Sequence, residues 1–312
     1  MTTLLADIGG TNARFALTEG EVPTNPASLA LDGFRGIIEA IRHFLGDANP
    51  PEAAVLAVAG PVHRNSVRLT NRGWLVDGAA IGRALGIRHV RVVNDFAAQS
   101  WALPELSGAD LHPLGGSAAA AETGAPLAVL GPGTGLGIGA FLPPGQALVT
   151  EGGHASIATH DPREAAVVEW LRGRHGHVSA ERLLSGQGLE NLQAGLAAVD
   201  GAKVESLEAA EITRRALAGE DARCVEVLDL FCAMLGSVAG DLALLYGAKG
   251  GVYVAGGICP RFPDYLAASR FRARFEAKGR FRDWLAPVPA WLVMRPDPAM
   301  LGLTAIARGR AK

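Results

Sequence analysis

Lysine is almost missing from this chain. Only Lys203, Lys249, Lys278 and Lys312 occur, and none precedes Ser or Thr. A Walker A phosphate loop needs that dipeptide, so that route to nucleotide binding is excluded. Cysteine is equally sparse: Cys224, Cys232 and Cys259 form neither a CxxC pair nor a zinc-ligand spacing. An odd, small set of thiols suits a reducing compartment, with buried packing the expected role of each. Neither sign of charge dominates, with 29 Lys+Arg against 31 Asp+Glu. That balance provides no global field for nucleic acid or an anionic membrane. A basic n-region and an A-x-A cleavage site are both lacking, so no secretory signal is expected. There is no G-x-S-x-G elbow and no cysteine in a protease motif, which leaves hydrolase triads unsupported. The most apolar long segment, Val225 to Tyr246, is interrupted by Glu226, Asp229 and Asp241. Its Val225, Leu228, Leu235, Leu242 and Leu245 keep helical spacing, so a core helix is expected rather than a membrane span. These features point to a cytoplasmic protein.

What is present is a large apolar fraction, 49% of 312 residues against 19% charged. Such a chain can bury a substantial core as one large or two medium domains. Near its start, Asp7-Ile8-Gly9-Gly10-Thr11-Asn12 lies between the apolar runs Leu4-Leu5-Ala6 and Phe15-Ala16-Leu17. The pattern predicts strand, tight glycine turn, strand, with the glycines free to take positive φ. Backbone N–H groups of such a turn hold phosphate oxygens, and Asp7 can hold a metal ion or its waters. A plain hairpin turn explains the same residues. A helix near Gly36 to Leu45, a buried strand Ala53–Ala59, a short helix Ile81–Leu85 and a strand from His89 to Val93 follow. Apolar strands alternating with helices predict an α/β layer with a mainly parallel sheet, entered by a hairpin.

The opening pattern then returns. After the Gly/Ala/Ser-rich stretch 115–121, a surface loop or domain boundary, Leu127–Leu130 reads as a strand, Gly131–Gly135 as a turn and Leu136–Leu142 as a strand. Two halves of related design are expected. Gly135-Leu136-Gly137-Ile138-Gly139-Ala140 formally matches the dinucleotide fingerprint, but Phe141-Leu142-Pro143-Pro144 cannot open the helix that fingerprint requires. The Rossmann reading is therefore rejected, and Gly131–Gly135 stands as a second phosphate nest or a structural turn. Helices are expected near Arg163–Arg172, Ala180–Leu196 and Ala222–Tyr246. A strand Gly251–Ala255 should run into Gly256-Gly257, and a terminal helix should span Ala299–Arg308.

Three further segments carry candidate chemistry. Asn94-Asp95 ends a buried strand, where ligands of open α/β sheets gather, so Asp95 is placed as a general base; an Asp N-cap is the alternative. Glu151-Gly152-Gly153-His154 offers an acceptor and an imidazole, a combination suited to vicinal sugar hydroxyls; a surface loop is the alternative. In Ser179-Ala180-Glu181-Arg182, Ser179 reads as an N-cap with Glu181 in the first helical turn, or Glu181 points into a cleft. The basic run Arg270, Arg272, Arg274, Lys278, Arg280 and Arg282, mixed with Glu276 and Asp283, is expected to be a solvated face.

These residues converge on one resemblance. ADIGGTNARFAL, LTNRGW, VVNDFAAQS, LGPGTGLGIGAF, EGGH, GHVSAERLLSGQGLENL, VYVAGGICPRF and KGRF occur in order over nearly the whole chain. The set resembles the bacterial glucokinases, of the non-ROK type, in the hexokinase–actin–Hsp70 superfamily. The resemblance implies two ribonuclease H-like (actin-like ATPase) α/β domains flanking a cleft in which ATP and glucose meet. The small domain would be residues 1–105 with the C-terminal helix 297–312, and the large one 106–296. Ala6, Asp7, Ile8, Gly9, Gly10 and Thr11 would form the first nucleotide loop, with Asp7 on Mg²⁺ directly or through water. Gly131, Gly133, Thr134 and Gly135 would form the second, and Gly256 and Gly257 the adenosine region. Asn94, Asp95, Glu151, His154 and Glu181 match the family's sugar-binding positions, with Asp95 the base. A Gly often precedes the aspartate in the family where Ala6 stands here. The cysteine-rich zinc motif of the ROK kinases is absent, so no zinc is expected. The implied activity is ATP-dependent phosphorylation of D-glucose at its 6-hydroxyl by a homodimer with no nucleic-acid or membrane partner. A kinase for another hexose and an actin-like nucleotide switch are the rivals.

Overall fold

The computed structural model describes the chain except residues 21, 70–71, 118–120 and 310–312. Thr70 and Asn71 of the LTNRGW segment, the middle of the 115–121 stretch and the last three residues of the C-terminal segment thus lie outside the described residues. The chain divides into two compact units: Met1–Leu106 with Gly145–Val149 and Pro296–Lys312, and Ser107–Pro144 with Thr150–Arg295.

In the first unit β1 (Thr3–Ile8) turns through Gly9-Gly10 into β2 (Asn12–Thr18), and β3 (Thr24–Ala30) continues the meander. Helix α1 (Ile37–Leu45) leads to β4 (Ala53–Val58), every residue of which is buried. A small hairpin of β5 (Ser66–Arg68) and β6 (Leu75–Asp77) precedes α2 (Gly78–Leu85). That helix begins earlier than the apolar pattern indicates, because the Asp77 side chain accepts from Ala80 N and caps it. Then come β7 (His89–Asn94) and α3 (Asp95–Ala102). The sheet runs β3-β2-β1-β4-β7, with β1 antiparallel to β2 and parallel to β4, and β4 parallel to β7.

The second unit repeats this plan. It opens with β8 (Leu111–Pro113), β9 (Leu127–Pro132) and β10 (Leu136–Leu142). Here β9 is antiparallel to β10 and parallel to β12 (Gly251–Val254), as β1 is to β2 and β4. The sheet continues through β13 (Ala290–Val293) to β8. Strand β9 extends two residues past the expected end, since Gly131 pairs with Gly137 and Pro132 with Leu136. The turn proper is therefore Gly133–Gly135. Gly137 and Gly139 lie inside β10, and no helix follows them. The strand β11 (Gln146–Val149) belongs to the first unit.

Helices α4 (Pro162–His175), α5 (Gly186–Val199), α6 (Ala209–Ala218) and α7 (Ala222–Tyr246) build the second unit's core. Helix α7 is long and apolar enough to cross a membrane, but 78% of its most apolar window is buried within the protein. Its small residues permit this, because Gly236 and Gly240 lie against the backbone of α9 (Phe271–Glu276). Leu245 departs from the expected core stripe and is 75% exposed at the helix end. The long helix expected from Ala180 does not begin there. Ala180–Arg182 forms a single 3-10 turn, and α5 starts at Gly186 with Ser185 accepting from Gly188 N. The intervening Leu183 and Leu184 are fully buried, so the chain turns inward before the helix opens.

The expected solvated basic face holds for Arg270, Arg280 and Arg282, which are exposed, and fails for Arg272, Arg274 and Lys278. Arg274 on α9 is buried and forks onto buried Glu164 on α4, at 2.5 and 3.1 Å. Arg272 binds the carbonyls of Leu285, Ala286 and Val288, and Lys278 binds Asp241. Helices α8 (Pro263–Ala268) and α10 (Arg282–Leu285) flank this region.

The last helix, α11 (Pro298–Gly309), packs on α3 in the first unit. A Cβ on Gly302 would lie 1.7 Å from the Ala98 carbonyl oxygen, so only glycine allows the two backbones to meet. Cys224, Cys232 and Cys259 are buried free thiols, as their spacing and apolar neighbours predict.

Candidate active site

The first turn is a closed hairpin. Gly9 N–H donates to Asn12 O at 3.0 Å, and Leu31 N–H donates to Thr11 O at 2.9 Å. Neither Gly9 nor Gly10 takes positive φ, contrary to the expectation from the sequence. Ala6 is buried in β1 and pairs with Phe15. Asp7 stands next to the end of that strand, with its side chain 20% exposed. Burial pushes its carboxyl above the ordinary range, Arg14 at 3.5 Å pulls it down, and Asp297 pushes it up again. Arg14 also reaches Asp297 at 3.0 Å. That Arg14 pairs with Asp297 of the C-terminal segment as well as with Asp7 leaves no local trace in sequence.

A magnesium ion suits this arrangement. Mg²⁺ is typically held by one or two carboxylates, with water and substrate phosphates filling the other positions. Asp7 supplies one partly buried carboxylate at a glycine turn, and a cation would relieve the desolvation that raises its pKa.

At the end of β7 the two adjacent residues divide their labour. Asn94, not Asp95, caps α3: its Oδ1 accepts from Phe96 N at 2.8 Å and Ala97 N at 3.2 Å. Its Nδ2 donates to Gly60 O at 3.1 Å. The alternative of Asp95 as cap is thereby replaced. Asp95 is the first residue of α3, half-buried, with Oδ1 accepting from Phe96 N at 3.0 Å. The carboxylate thus sits in the first turn of α3, beside the N–H groups that Asn94 caps.

In the second unit several predicted residues meet at one hairpin end. Gly133 N–H donates to Gly135 O at 2.8 Å, and Gly186 N–H, at the start of α5, donates to Gly133 O at 2.9 Å. Glu181 joins this turn: its Oε2 accepts from Leu136 N at 2.9 Å. A Cβ on Gly135 would lie 2.4 Å from that oxygen, so glycine makes room for the carboxylate. The other oxygen, Oε1, is 3.8 Å from His154 Nδ1. The EGGH segment folds as a 3-10 turn, Gly152–His154, whose His154 N–H donates to Glu151 O. Glu151 is joined to the cluster through its main chain, and its side chain is exposed. Thr150 fastens the turn to β10, donating to Ile138 O at 3.0 Å and accepting from Gly152 N at 3.1 Å. Its role was missed in sequence because a threonine before EGGH has no motif of its own. Gly256 lies on the other side of β9, where a Cβ would meet Pro132 O at 2.3 Å; its φ is 82°. Gly257 follows it, and Ile258 N–H reaches Pro132 O.

Chemically, the first unit offers a glycine turn with a carboxylate suited to a cation and, at the end of β7, two strands away in the sheet, a second carboxylate in the first turn of α3. The second offers a second glycine turn joined to a glutamate–histidine pair of complementary hydrogen-bonding character. A hairpin-and-parallel-strand unit used twice, with glycine turns at the hairpin ends, gives this chain the α/β architecture of the actin-like ATPase fold. The family model described as Glucokinase matches residues 4–310. The chain belongs to the glucokinase family. It is 43% identical over 312 aligned residues to the Glucokinase of Nitrobacter hamburgensis, covering 97% of both chains. It is 44% identical over 308 residues to the Glucokinase of Chromobacterium violaceum, covering 97% of this chain and 88% of that one. The crystal structure of a glucokinase from an Antarctic psychrotroph matches it with a TM-score of 0.90 at 37% identity, over 99% of each chain.

Proposed function

We propose that this protein transfers the γ-phosphoryl group of ATP to the 6-hydroxyl of D-glucose, giving glucose 6-phosphate and ADP. The observation that carries the reading is the Glu181 carboxylate, anchored on Leu136 N–H by one oxygen and facing His154 with the other. A nucleotide switch has no need for such a hydroxyl-binding pair beside a phosphate turn.

In this reading the 6-oxygen attacks the γ-phosphorus, the bond from phosphorus to the β-phosphate oxygen breaks, and Asp95 takes the hydroxyl proton. Asn94, Glu151, His154 and Glu181 orient the sugar by its other hydroxyls. The backbone of Gly9–Thr11 and of Gly133–Gly135, with Gly131 behind it, cradles the phosphates. Gly256 and Gly257 let the adenosine pass close to backbone. Magnesium bound at Asp7 would offset phosphate charge, the main requirement of a transfer that depends on positioning more than on covalent chemistry. Family resemblance extends the proposal to a homodimer in the cytoplasm, and three unpaired thiols are compatible with a reducing compartment. The test is a panel of hexoses with ATP and coupled ADP detection. Glucose should give the highest kcat/KM; preference for fructose or mannose would move the assignment to another hexose. ATP hydrolysis without any sugar phosphate would favour a nucleotide switch.

A further inference from the structure

We propose that Arg72 is a positioning residue for the first phosphate loop, setting the direction of its N–H groups. The inference rests on the reading of Gly9–Thr11 as a nucleotide loop. Arg72 lies at the tip of the β5–β6 hairpin, which Leu69 N–H to Trp74 O (2.8 Å) and Gly73 N–H to Leu69 O (2.9 Å) hold closed. From there its Nε donates to Gly10 O at 2.5 Å and its Nη2 to Asp32 Oδ1 at 2.5 Å. The guanidinium carbon lies 5.4 Å from the centre of the Trp74 ring. The Arg72 side chain is only 16% exposed, although its partner Asp32 is 78% exposed. An exposed carboxylate alone would hold an arginine weakly; here the loop carbonyl and the indole fix it too.

The consequence follows from peptide geometry. Gly10 C=O and Thr11 N–H belong to one planar peptide unit and point in opposite directions. Pinning Gly10 O on Arg72 therefore aims Thr11 N–H away from Arg72. The Leu31 N–H on Thr11 O does the same for Asn12 N–H. Gly10 has no side chain to prefer one orientation, so an unanchored peptide at this position would sample several. Arg72 supplies the anchor before nucleotide arrives, and preorganised donors bind an anion more tightly than donors that must first be ordered. Lysine cannot replace it, because one ammonium cannot present two donors in a fixed planar fork while stacking on Trp74.

The test is MgADP binding by calorimetry together with steady-state kinetics on wild type, Arg72→Met and Arg72→Lys. Loss of a charge-assisted hydrogen bond predicts MgADP affinity and KM for ATP weakened by about ten- to hundredfold in both variants. KM for glucose should stay within about twofold, and millimolar guanidinium should partly restore Arg72→Met. Asp32→Asn, which loosens the fork but keeps Arg72, should weaken MgADP in the same direction by less. Unchanged MgADP affinity in Arg72→Met, or equal weakening toward glucose and nucleotide, would overturn the proposal. If wild type phosphorylates glucose but Arg72→Met keeps its nucleotide affinity, only this inference falls. If wild type binds no MgADP, the nucleotide-loop reading falls and takes this inference with it.

Discussion

Replacing Arg274 with Met should destabilise the second unit strongly while leaving its fold intact. Arg274 is 6% exposed and Glu164 is fully buried. Glu164 receives two guanidinium N–H groups, at 2.5 and 3.1 Å, and His160 N–H at 2.7 Å. Methionine fills much of the volume but donates nothing, so the carboxylate would keep only the His160 bond. Removing one partner of a buried pair costs about 3–5 kcal/mol, because the remaining charge is left without its counter-ion. At about 2–4 °C per kcal/mol for a unit of this size, the melting temperature should fall by at least about 6 °C. The companion variant, Glu164→Leu with Arg274→Met, removes both charges. It also removes Arg274 Nε, which is buried without a hydrogen-bond partner in the native fold. What remains is the unpaired His160 N–H, at about 1–3 kcal/mol. The double variant should therefore be no less stable than either single one. Calorimetry or urea unfolding of the four proteins closes the cycle. A loss below about 1 kcal/mol in Arg274→Met, or additive losses in the double variant, would refute the reasoning.

Three further predictions concern the site and the thiols. Asp95→Asn should lower kcat about 10²- to 10⁴-fold with an unchanged melting temperature, since an amide oxygen can still accept from Phe96 N–H; near-normal turnover would remove Asp95 from the role of base. Glu181→Gln, which keeps an acceptor for Leu136 N–H, should raise KM for glucose about tenfold or more and leave KM for ATP within about twofold. Glu181→Ala should raise both, because it also frees the Gly133–Gly135 turn; identical effects of the two variants would contradict the dual role. Burial pushes the Cys224 thiol up to about 11 and Cys232 up to about 12, and Cys259 is raised as well. Thiolate is the reactive form, so all three should resist a disulfide reagent at pH 8 and react together in urea; rapid labelling of the native protein would contradict the packing.

Much of this was legible where chemistry is local. Gly9-Gly10 between two apolar runs, and its echo at Gly131–Gly135, marked both hairpins, the second with its turn two residues too wide, and the strand end at Asn94-Asp95 marked the carboxylate. Local pattern failed where two neighbours could take the same role. Ser179 and Ser185 are both acceptable caps, and the buried Leu183-Leu184 pair decides for Ser185. Asn94 and Asp95 are both acceptable caps, and the carbonyl of Gly60, distant in sequence, engages Asn94. Long-range pairs left no trace at all. Arg274 reads as one member of a solvated basic run until α4 brings Glu164 to it across 110 positions. Arg72 likewise reads as part of a turn until the fold sets it against Gly10 and Asp32.

The central claim is most directly tested by identifying the product. The purified protein with Mg²⁺, ATP and D-glucose should yield a phosphate monoester whose ³¹P–¹H coupling places it on carbon 6, with one ADP formed per ester. Formation of ADP with free inorganic phosphate and no sugar ester, or phosphorylation at another hydroxyl, would contradict it.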